Sequence, residues 1–388
     1  MKAKGFLIPM PKPPLRPQNE LAVGTMTDGS AGERQNLGRQ NSWSMRGERL
    51  SNAIFPYLCI DMKRSLLFFL LPILLPACTV KLDLESEILE GEGTAVSWME
   101  KLPDDTPLTA LSIPGAHDAA SSSITSWTLW TRTQEKNIAE LWNCGVRAFD
   151  LRPALVDGEL GIYHDKYSAH VTFPQVMEAL ILALKKHPGE CAIVLIRHEE
   201  EADGNAPGWK DAMDAYLNSI HSSLFDHYNP SLTLGELRGK ILVLGRGGYM
   251  NWPLLGGSIQ GWSHSEQLSS QQNAFIAERN GNAYPLWVQD YYHPGGADDK
   301  WAAVKRLLDA TASAGDSRPL VINHASGYVG GLPDYRANAR DINARTAEYI
   351  SAKHAPAGIV MMDFAGTDSS NGVSVGGDRL VKALIENN

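Results

Sequence analysis

Cysteine is scarce: 388 residues contain four, Cys59, Cys78, Cys144 and Cys191. None forms a CxxC pair or a zinc-type spacing, which argues against a cysteine metal site. Cys144 and Cys191 lie in apolar stretches and read as buried thiols. Basic residues are also in short supply. With 35 Lys and Arg against 44 Asp and Glu the net charge is -9, and no basic stripe is present, so no nucleic-acid partner is expected. An acidic total does not exclude phosphate chemistry, because a site can be locally basic. No GxGxxG follows a first strand, which disfavours an open doubly wound sheet of the dinucleotide-binding kind. The longest apolar run is too short to span a bilayer comfortably. What remains, 43% apolar and 20% charged residues, is the composition of a soluble globular protein with room for one large domain or two ordinary ones.

That apolar run has its own meaning. Met62-Lys63-Arg64 precedes Ser65 to Leu75, then Pro76-Ala77-Cys78. A short basic region, an apolar run and a small residue before the cut make a secretory signal. Leu75-Pro76-Ala77-Cys78 resembles the lipobox of bacterial lipoproteins; the alternative is an ordinary cleaved signal that contains a cysteine. On the lipoprotein reading, residues 62–77 are the signal peptide and Cys78 is the lipidated first residue. The acidic residues 78–95 are then a tether. The protein is exported and membrane-anchored, on the periplasmic or the cell-surface face. Residues 1–61 are rich in Pro, Gly, Asn, Ser and Arg with little periodicity. Since an export signal belongs at an N-terminus, they are expected to be disordered, or a mis-assigned extension with Met62 as the true start.

Residues 96–388 read as one α/β domain. Short β-branched runs are strand candidates: Leu108–Ile113, Val146–Leu151, Leu160–Tyr163, Ala192–Ile196, Ile241–Leu244, Leu286–Gln289, Leu320–Asn323 and Gly358–Met362. Helical patterns fall between most of them, over Thr133–Trp142, Pro174–His187, Trp209–Ile220, Asp299–Ala314 and Arg336–Lys353, with Asp378–Glu386 last. Runs this apolar suggest strands buried on both faces, hence a largely parallel sheet. Eight of them fit a barrel of the (β/α)8 type, regular or irregular, in a single domain. The connection from Leu151 to Leu160 is too short for a helix, so that unit lacks its helix or is a hairpin.

Polar residues gather where each strand candidate ends. His117-Asp118 follows the first, after a Pro114-Gly115 turn; Asp150 and Arg152 straddle the end of the second; His164-Asp165 ends the third. Arg197-His198-Glu199, Arg246, Asp290-Tyr291-Tyr292, Asn323-His324 and Asp363 follow in turn. Singly, each has an ordinary reading: Asp290 as an N-cap, His324 as a satisfied core histidine, Arg246 as a solvated charge, His198 to Glu201 as a solvated face. Repetition at eight strand ends favours a site, because in a barrel those ends surround one mouth. His117 and His164 suit a general base and a general acid. Arg152 is a permanent cationic fork for phosphate oxygens. Asp118 and Asp363 could orient the imidazoles. Two histidines with an arginine can cleave a phosphodiester without a metal, whereas a metal enzyme would want carboxylates where Arg152 stands.

The segments Ser112-Ile113-Pro114-Gly115-Ala116-His117-Asp118, Gly145 to Arg152 and Tyr163-His164 resemble the X-domain of bacterial phosphatidylinositol-specific phospholipase C. The likeness runs from about Trp98 to the C-terminus and is strongest from Leu111 to Arg197. It implies a distorted TIM barrel and lyase-type cleavage, in which the inositol 2-hydroxyl attacks phosphorus. The products are diacylglycerol and a cyclic inositol phosphate. By the same resemblance His117 matches the base and His164 the acid, Asp118 supports the acid, and Asp363 orients the base. Arg152 matches the phosphate-binding arginine that replaces a calcium ion, with Asp150 supporting the cluster. Arg197, Arg246, Asp290 and Tyr292 match headgroup-binding positions. Arg197 departs from the family's usual lysine, which bears on headgroup preference. No metal and no cofactor is implied. The expected partners are phosphatidylinositol or a related inositol phospholipid and a membrane surface, met by a monomer. Trp127 and Trp130 could meet that surface or be buried under the barrel. Two rivals remain: a metal-dependent glycerophosphodiester phosphodiesterase, and a lipoprotein that binds a phospholipid or glycan headgroup without turnover.

Overall fold

Alternation of side chains along short strands builds the centre of this chain. The computed structural model describes residues 95–246, 252–253, 255–262, 272–278, 281–330 and 334–388. The chain divides into two units between Pro76 and Ala77, and the described residues all belong to the second, Ala77–Asn388. The signal at 62–77, Cys78, the extension 1–61 and the tether up to residue 94 lie outside the described residues.

A closed barrel occupies the middle of the second unit. Its strands are β1 (Ser112–Ala116), β2 (Ala148–Leu151), β6 (Ala192–Arg197), β7 (Ile241–Arg246), β8 (Gly257–Gln260), β9 (Gln272–Ala277), β10 (Ala283–Gln289), β11 (Leu320–His324) and β12 (Gly358–Met362). β1 closes the ring by pairing in parallel with both β12 and β2. Neighbours are parallel throughout except at β9, which runs antiparallel to β8 and to β10. Three further strands, β3 (Pro153–Val156), β4 (Glu159–His164) and β5 (Tyr167–Thr172), form a separate antiparallel sheet.

The candidate Leu160–Tyr163 is not a barrel strand but the middle of this antiparallel sheet, the hairpin alternative for its short connection. Its residues alternate between buried and half-buried, as a strand with one covered face does. The barrel is instead completed by β8 and β9, which have no continuous apolar run. β8 has four residues and begins at Gly257, while β9 buries Ala274 and Ile276 but exposes Phe275. The first strand also differs. Pro114-Gly115 lies within β1, not in a turn after it. Gly115 is there for space: a Cβ at that position would stand 3.2 Å from the Val360 carbonyl and 3.3 Å from the Ala148 Cβ.

Opposite faces of the strands feed two apolar clusters. Ile113, Ala148, Ile193, Leu195, Leu242, Leu244, Val288, Ile322, Ile359 and Met361 pack together inside the barrel. Ala116, Phe149, Val194, Ile196, Val243, Val360 and Met362 pack outward under the helices. Those helices are α1 (Ile138–Asn143), α2 (Phe173–Lys186), α3 (Trp209–Ser219), α4 (Ala297–Ser313), α5 (Tyr335–Lys353) and α6 (Gly377–Ile385). α2 begins with a capping box between Thr172 and Gln175. α1 starts five residues later than the Thr133–Trp142 pattern suggests. Thr133 and Gln134 are spent elsewhere: Thr133 Oγ1 donates to the His117 carbonyl, and Gln134 Nε2 to the carbonyls of His117 and Met362. These two buried side chains tie the C-terminal end of β1 to that of β12.

Candidate active site

The inward-facing rows change character at their C-terminal ends. Ile113 and Gly115 lead to His117; Ala148 to Asp150 and Arg152; Leu195 to Arg197; Leu244 to Arg246; Val288 to Asp290; Ile322 to His324; Met361 to Asp363. Each polar residue is the next position, in steps of two, after buried apolar ones. Seven rows therefore deliver polar groups to one mouth of the barrel.

His117 is gripped from both sides. Its Nδ1 lies 2.9 Å from Asp363 Oδ1, and its Nε2 lies 2.9 Å from Arg152 Nη2. An arginine can only donate, so Nε2 accepts and Nδ1 carries the hydrogen given to Asp363. Asp363 is itself fixed, since its Oδ2 accepts the Gly327 amide at 3.0 Å. Gly327 has φ +142°, and a Cβ there would lie 2.5 Å from the Tyr292 carbonyl oxygen, so only glycine fits. Asp118 follows His117 in the left-handed region, at φ 43°. That turn directs its carboxylate onto Arg152, with Oδ1 2.5 Å from Nε. Arg152 also meets Asp150 at 3.4 Å and Glu199 at 3.9 Å.

His164 arrives from outside the barrel, at the end of β4, where Asp165-Lys166 turn the chain into β5. Its Nδ1 donates to the Thr131 carbonyl at 2.8 Å, and its Nε2 lies 3.7 Å from Asp118 Oδ2. The same oxygen is 3.7 Å from His117 Nε2. Each histidine thus commits Nδ1 to a fixed acceptor and turns Nε2 toward one shared carboxylate oxygen, beside Arg152.

The charges are strongly coupled through this low-dielectric space. Burial alone would depress His117, but Asp118 and Asp363 outweigh burial and Arg152, so its pKa lies above the ordinary value. Burial would raise Asp118 and Asp150; the Arg152 charge, with smaller help from His117, holds both carboxyls below the usual range. Burial likewise disfavours the Arg152 cation, yet Asp118, Asp150 and Glu199 more than restore it. Glu199 goes the other way, raised chiefly by burial, while its Oε1 accepts the Asp165 amide.

A second group adjoins the first. Arg246 Nη2 lies 3.1 Å from Asp290 Oδ2, which also accepts from Trp262 Nε1 at 2.9 Å, and the guanidinium covers the Trp262 ring at 4.0 Å. His324 joins the two groups: its ring stands edge-on to His117 at 5.8 Å and to Trp262 at 5.4 Å. Burial pushes His324 down to about 3, so it is neutral at working pH. Arg197 ends β6 directly beside Arg246 of β7 and is half-buried. Tyr292 packs edge-on to Tyr328 at 6.0 Å, in the loop that follows Asp290.

One group among the described residues has a geometry that could hold a metal: atoms of His117, Asp118 and Asp150 lie within 4.8 Å of one another. The Arg152 guanidinium contacts all three, and a second cation there would be repelled. The residues fit an anion held by Arg152 better than a divalent ion.

The structure brings His117, Asp118, Asp150, Arg152, His164 and Asp363 together, with Arg197, Arg246 and Asp290 at the adjoining strand ends. The sequence reading named His324 and Glu199 at strand ends without giving them a role, and it missed Trp262 and Tyr335, whose ring lies 6.3 Å from that of His164. For His324 the signal was present, since it has the inward parity of Ile322. Trp262 and Tyr335 come from loops and a helix start, where no period helps.

No protein-family model matches the chain. It is 27% identical over 306 residues to the 1-phosphatidylinositol phosphodiesterase of Staphylococcus aureus strain Newman, covering 75% of this chain and 94% of that one. With the Listeria monocytogenes protein of the same name it shares 28% over 229 residues, 55% of this chain and 68% of that one. Among solved structures, a point variant of the S. aureus phosphatidylinositol-specific phospholipase C matches with a TM-score of 0.62 at 25% identity, over 74% of this chain and 96% of that one. The L. monocytogenes enzyme shares the fold with a TM-score of 0.59 at 23% identity, covering 76% and 98%.

Proposed function

We propose, from the premise that this chain is a relative of the bacterial phosphatidylinositol-specific phospholipases C, that it cleaves phosphatidylinositol or a related inositol phospholipid to diacylglycerol and a cyclic inositol phosphate. The observation that carries the chemistry is the convergence of His117 Nε2 and His164 Nε2, each 3.7 Å from Asp118 Oδ2, beside the Arg152 guanidinium. His117 Nε2 takes the proton of the inositol 2-hydroxyl, whose oxygen forms a bond to phosphorus. The bond from phosphorus to the diacylglycerol oxygen breaks, and that oxygen takes a proton from His164 Nε2. Arg152 lies where the phosphate's non-bridging oxygens gain charge, and its partners Asp118 and Asp150 hold it in place. Asp363 stabilises the imidazolium formed on His117. Arg197, Arg246, Asp290 and Tyr292 surround the space for the headgroup. A cyclic product follows from having a base for an internal hydroxyl with no metal in the scheme.

The second part of the proposal concerns location. The sequence supports export and a lipid anchor at Cys78. No helix among the described residues is long and apolar enough to cross a membrane. Trp127, Leu129 and Trp130 are 59%, 52% and 36% exposed, on the loop and single helical turn that lead to Thr131. Such an apolar cluster suits the membrane interface. A lipidated chain with this loop would present the barrel mouth to lipid headgroups.

The deciding experiment is phosphorus NMR of phosphatidylinositol incubated with the protein in EDTA. A cyclic phosphodiester signal is expected. Cleavage only after adding a divalent metal would favour the glycerophosphodiester phosphodiesterase. No turnover by folded protein would leave only headgroup binding.

A further inference from the structure

A phosphodiester seated between His117 and His164 would present its non-bridging oxygens to whatever else lines that gap. Arg152 is one such group. Tyr335, beside His164, is a neutral donor there that the scheme above leaves unused. It is the first residue of α5, following the Asp334 cap, and is only 7% exposed. Its ring stands 6.3 Å from the His164 ring and edge-on to Tyr328 at 6.0 Å. It packs with Ala339, Phe364 and Val375, so its ring is anchored in a small apolar cluster next to Asp363. The charges acting on its hydroxyl are those of Asp118, Asp363 and Arg152, the groups that surround His117. Arg152 in turn feels Tyr335. Burial, reinforced by the two carboxylates, raises the phenol above its ordinary range, so it keeps its proton at any working pH. Among the described residues no hydrogen bond engages that hydroxyl. An anchored, protonated donor close to the catalytic charges, with no acceptor among the described residues, is pre-organised for an anionic oxygen.

We infer that Tyr335 is a further catalytic residue, donating its phenolic hydrogen bond to a non-bridging oxygen of the substrate phosphate beside Arg152. The inference rests on the phosphodiesterase reading above. A neutral donor suits this position. The pocket already balances Arg152 against Asp118, Asp150 and Asp363, and another fixed cation would draw those carboxylates away from Arg152 and His117. Phenol adds stabilisation as the phosphate oxygens gain charge and leaves the histidine pair undisturbed.

The test compares wild type with Tyr335→Phe, which keeps the ring and its packing. Substrates are phosphatidylinositol and its two phosphorothioate diastereomers, each with one non-bridging oxygen replaced by sulfur. Wild type should cleave one diastereomer far more slowly through loss of the oxygen that Tyr335 contacts. In Tyr335→Phe, kcat on the oxygen substrate should fall roughly tenfold to a hundredfold with KM little changed. The penalty for that one diastereomer should shrink by a similar factor. An equal fall for oxygen and both sulfur substrates would assign Tyr335 a packing role only and overturn the inference. So would unchanged kcat with unchanged diastereomer preference. A thermal melt coincident with wild type establishes that the variant is folded. Failure of wild type itself to produce the cyclic phosphodiester would remove the functional reading, an outcome distinct from either result on the variant.

Discussion

His117 is held between opposing charges, and its protonation decides whether it can act as a base. A base must be neutral, and this histidine's pKa is raised above about 6.5 by Asp118 and Asp363 against burial and Arg152. Activity should therefore fall as pH drops through a value above that of an ordinary histidine. Asp363→Asn removes one carboxylate that raises His117, so the acid limb of log(kcat/KM) against pH should move to lower pH. The rate at its optimum should drop by roughly 10²–10⁴-fold, because Nδ1 loses its orienting carboxylate. A limb that stays put would mean that another group titrates. Asp118 makes a finer case. The expectation that it serves His164 more than its own neighbour meets a more even geometry, with both Nε2 atoms 3.7 Å from Oδ2 and Arg152 Nε 2.5 Å from Oδ1. Asp118→Asn should slow all substrates through Arg152. It should slow a diacylglycerol substrate about tenfold more than an aryl inositol phosphate, whose leaving group needs no acid. Equal loss on both substrates would confine Asp118 to Arg152.

At the scale of the element, a site residue was legible wherever a buried parallel strand carried it. Apolar runs such as Ala192 to Ile196 and Gly358 to Met362 declare themselves, and the next inward position is then fixed by the pleat. β4 hid its role because a half-covered antiparallel strand has the same brief apolar run as a barrel strand, so His164 was placed on the wrong sheet, though it does lie beside Asp118. β8 and β9 were invisible because their burial comes from packing against neighbours rather than from a continuous run. Loops and turns near the ends also need anchoring. Arg147, fully buried just before β2, donates to Glu190 at 2.8 Å and to the carbonyls of Trp142 and Val146. Glu190→Ala leaves that guanidinium buried without its counter-charge. It should cost about 3–5 kcal/mol in urea unfolding. A loss below about 1 kcal/mol would mean that the backbone carbonyls suffice.

For the whole molecule, the proposed anchor and the exposed tryptophans make separate contributions to reaching a lipid. Trp127 and Trp130 stack on each other at 4.9 Å while both remain exposed, which answers the question of burial left open by their sequence. Replacing both with alanine in the mature chain lacking its lipid should weaken vesicle binding by about an order of magnitude or more. Cleavage of a water-soluble inositol phosphodiester should be little affected. Cys78→Ala should shift the cellular protein from the membrane to the soluble fraction. Retention on membranes by the Cys78 variant would point to the loop, or to an uncleaved signal, as the anchor.

The sequence by itself determined that a β-rich parallel core exists and that its strand ends carry histidine, arginine and aspartate, because burial on both faces forces a readable apolar run. It also determined the chemistry available, since residue type sets which groups can move protons or bind phosphate. Only the tertiary structure decided which histidine nitrogen faces the gap. That depends on acceptors distant in sequence, Asp363 for His117 and the Thr131 carbonyl for His164. It decided too that His164 enters from a sheet outside the barrel, and that Tyr335 packs beside it. Convergence of groups more than a hundred residues apart is set by ring closure and packing, which no local period records.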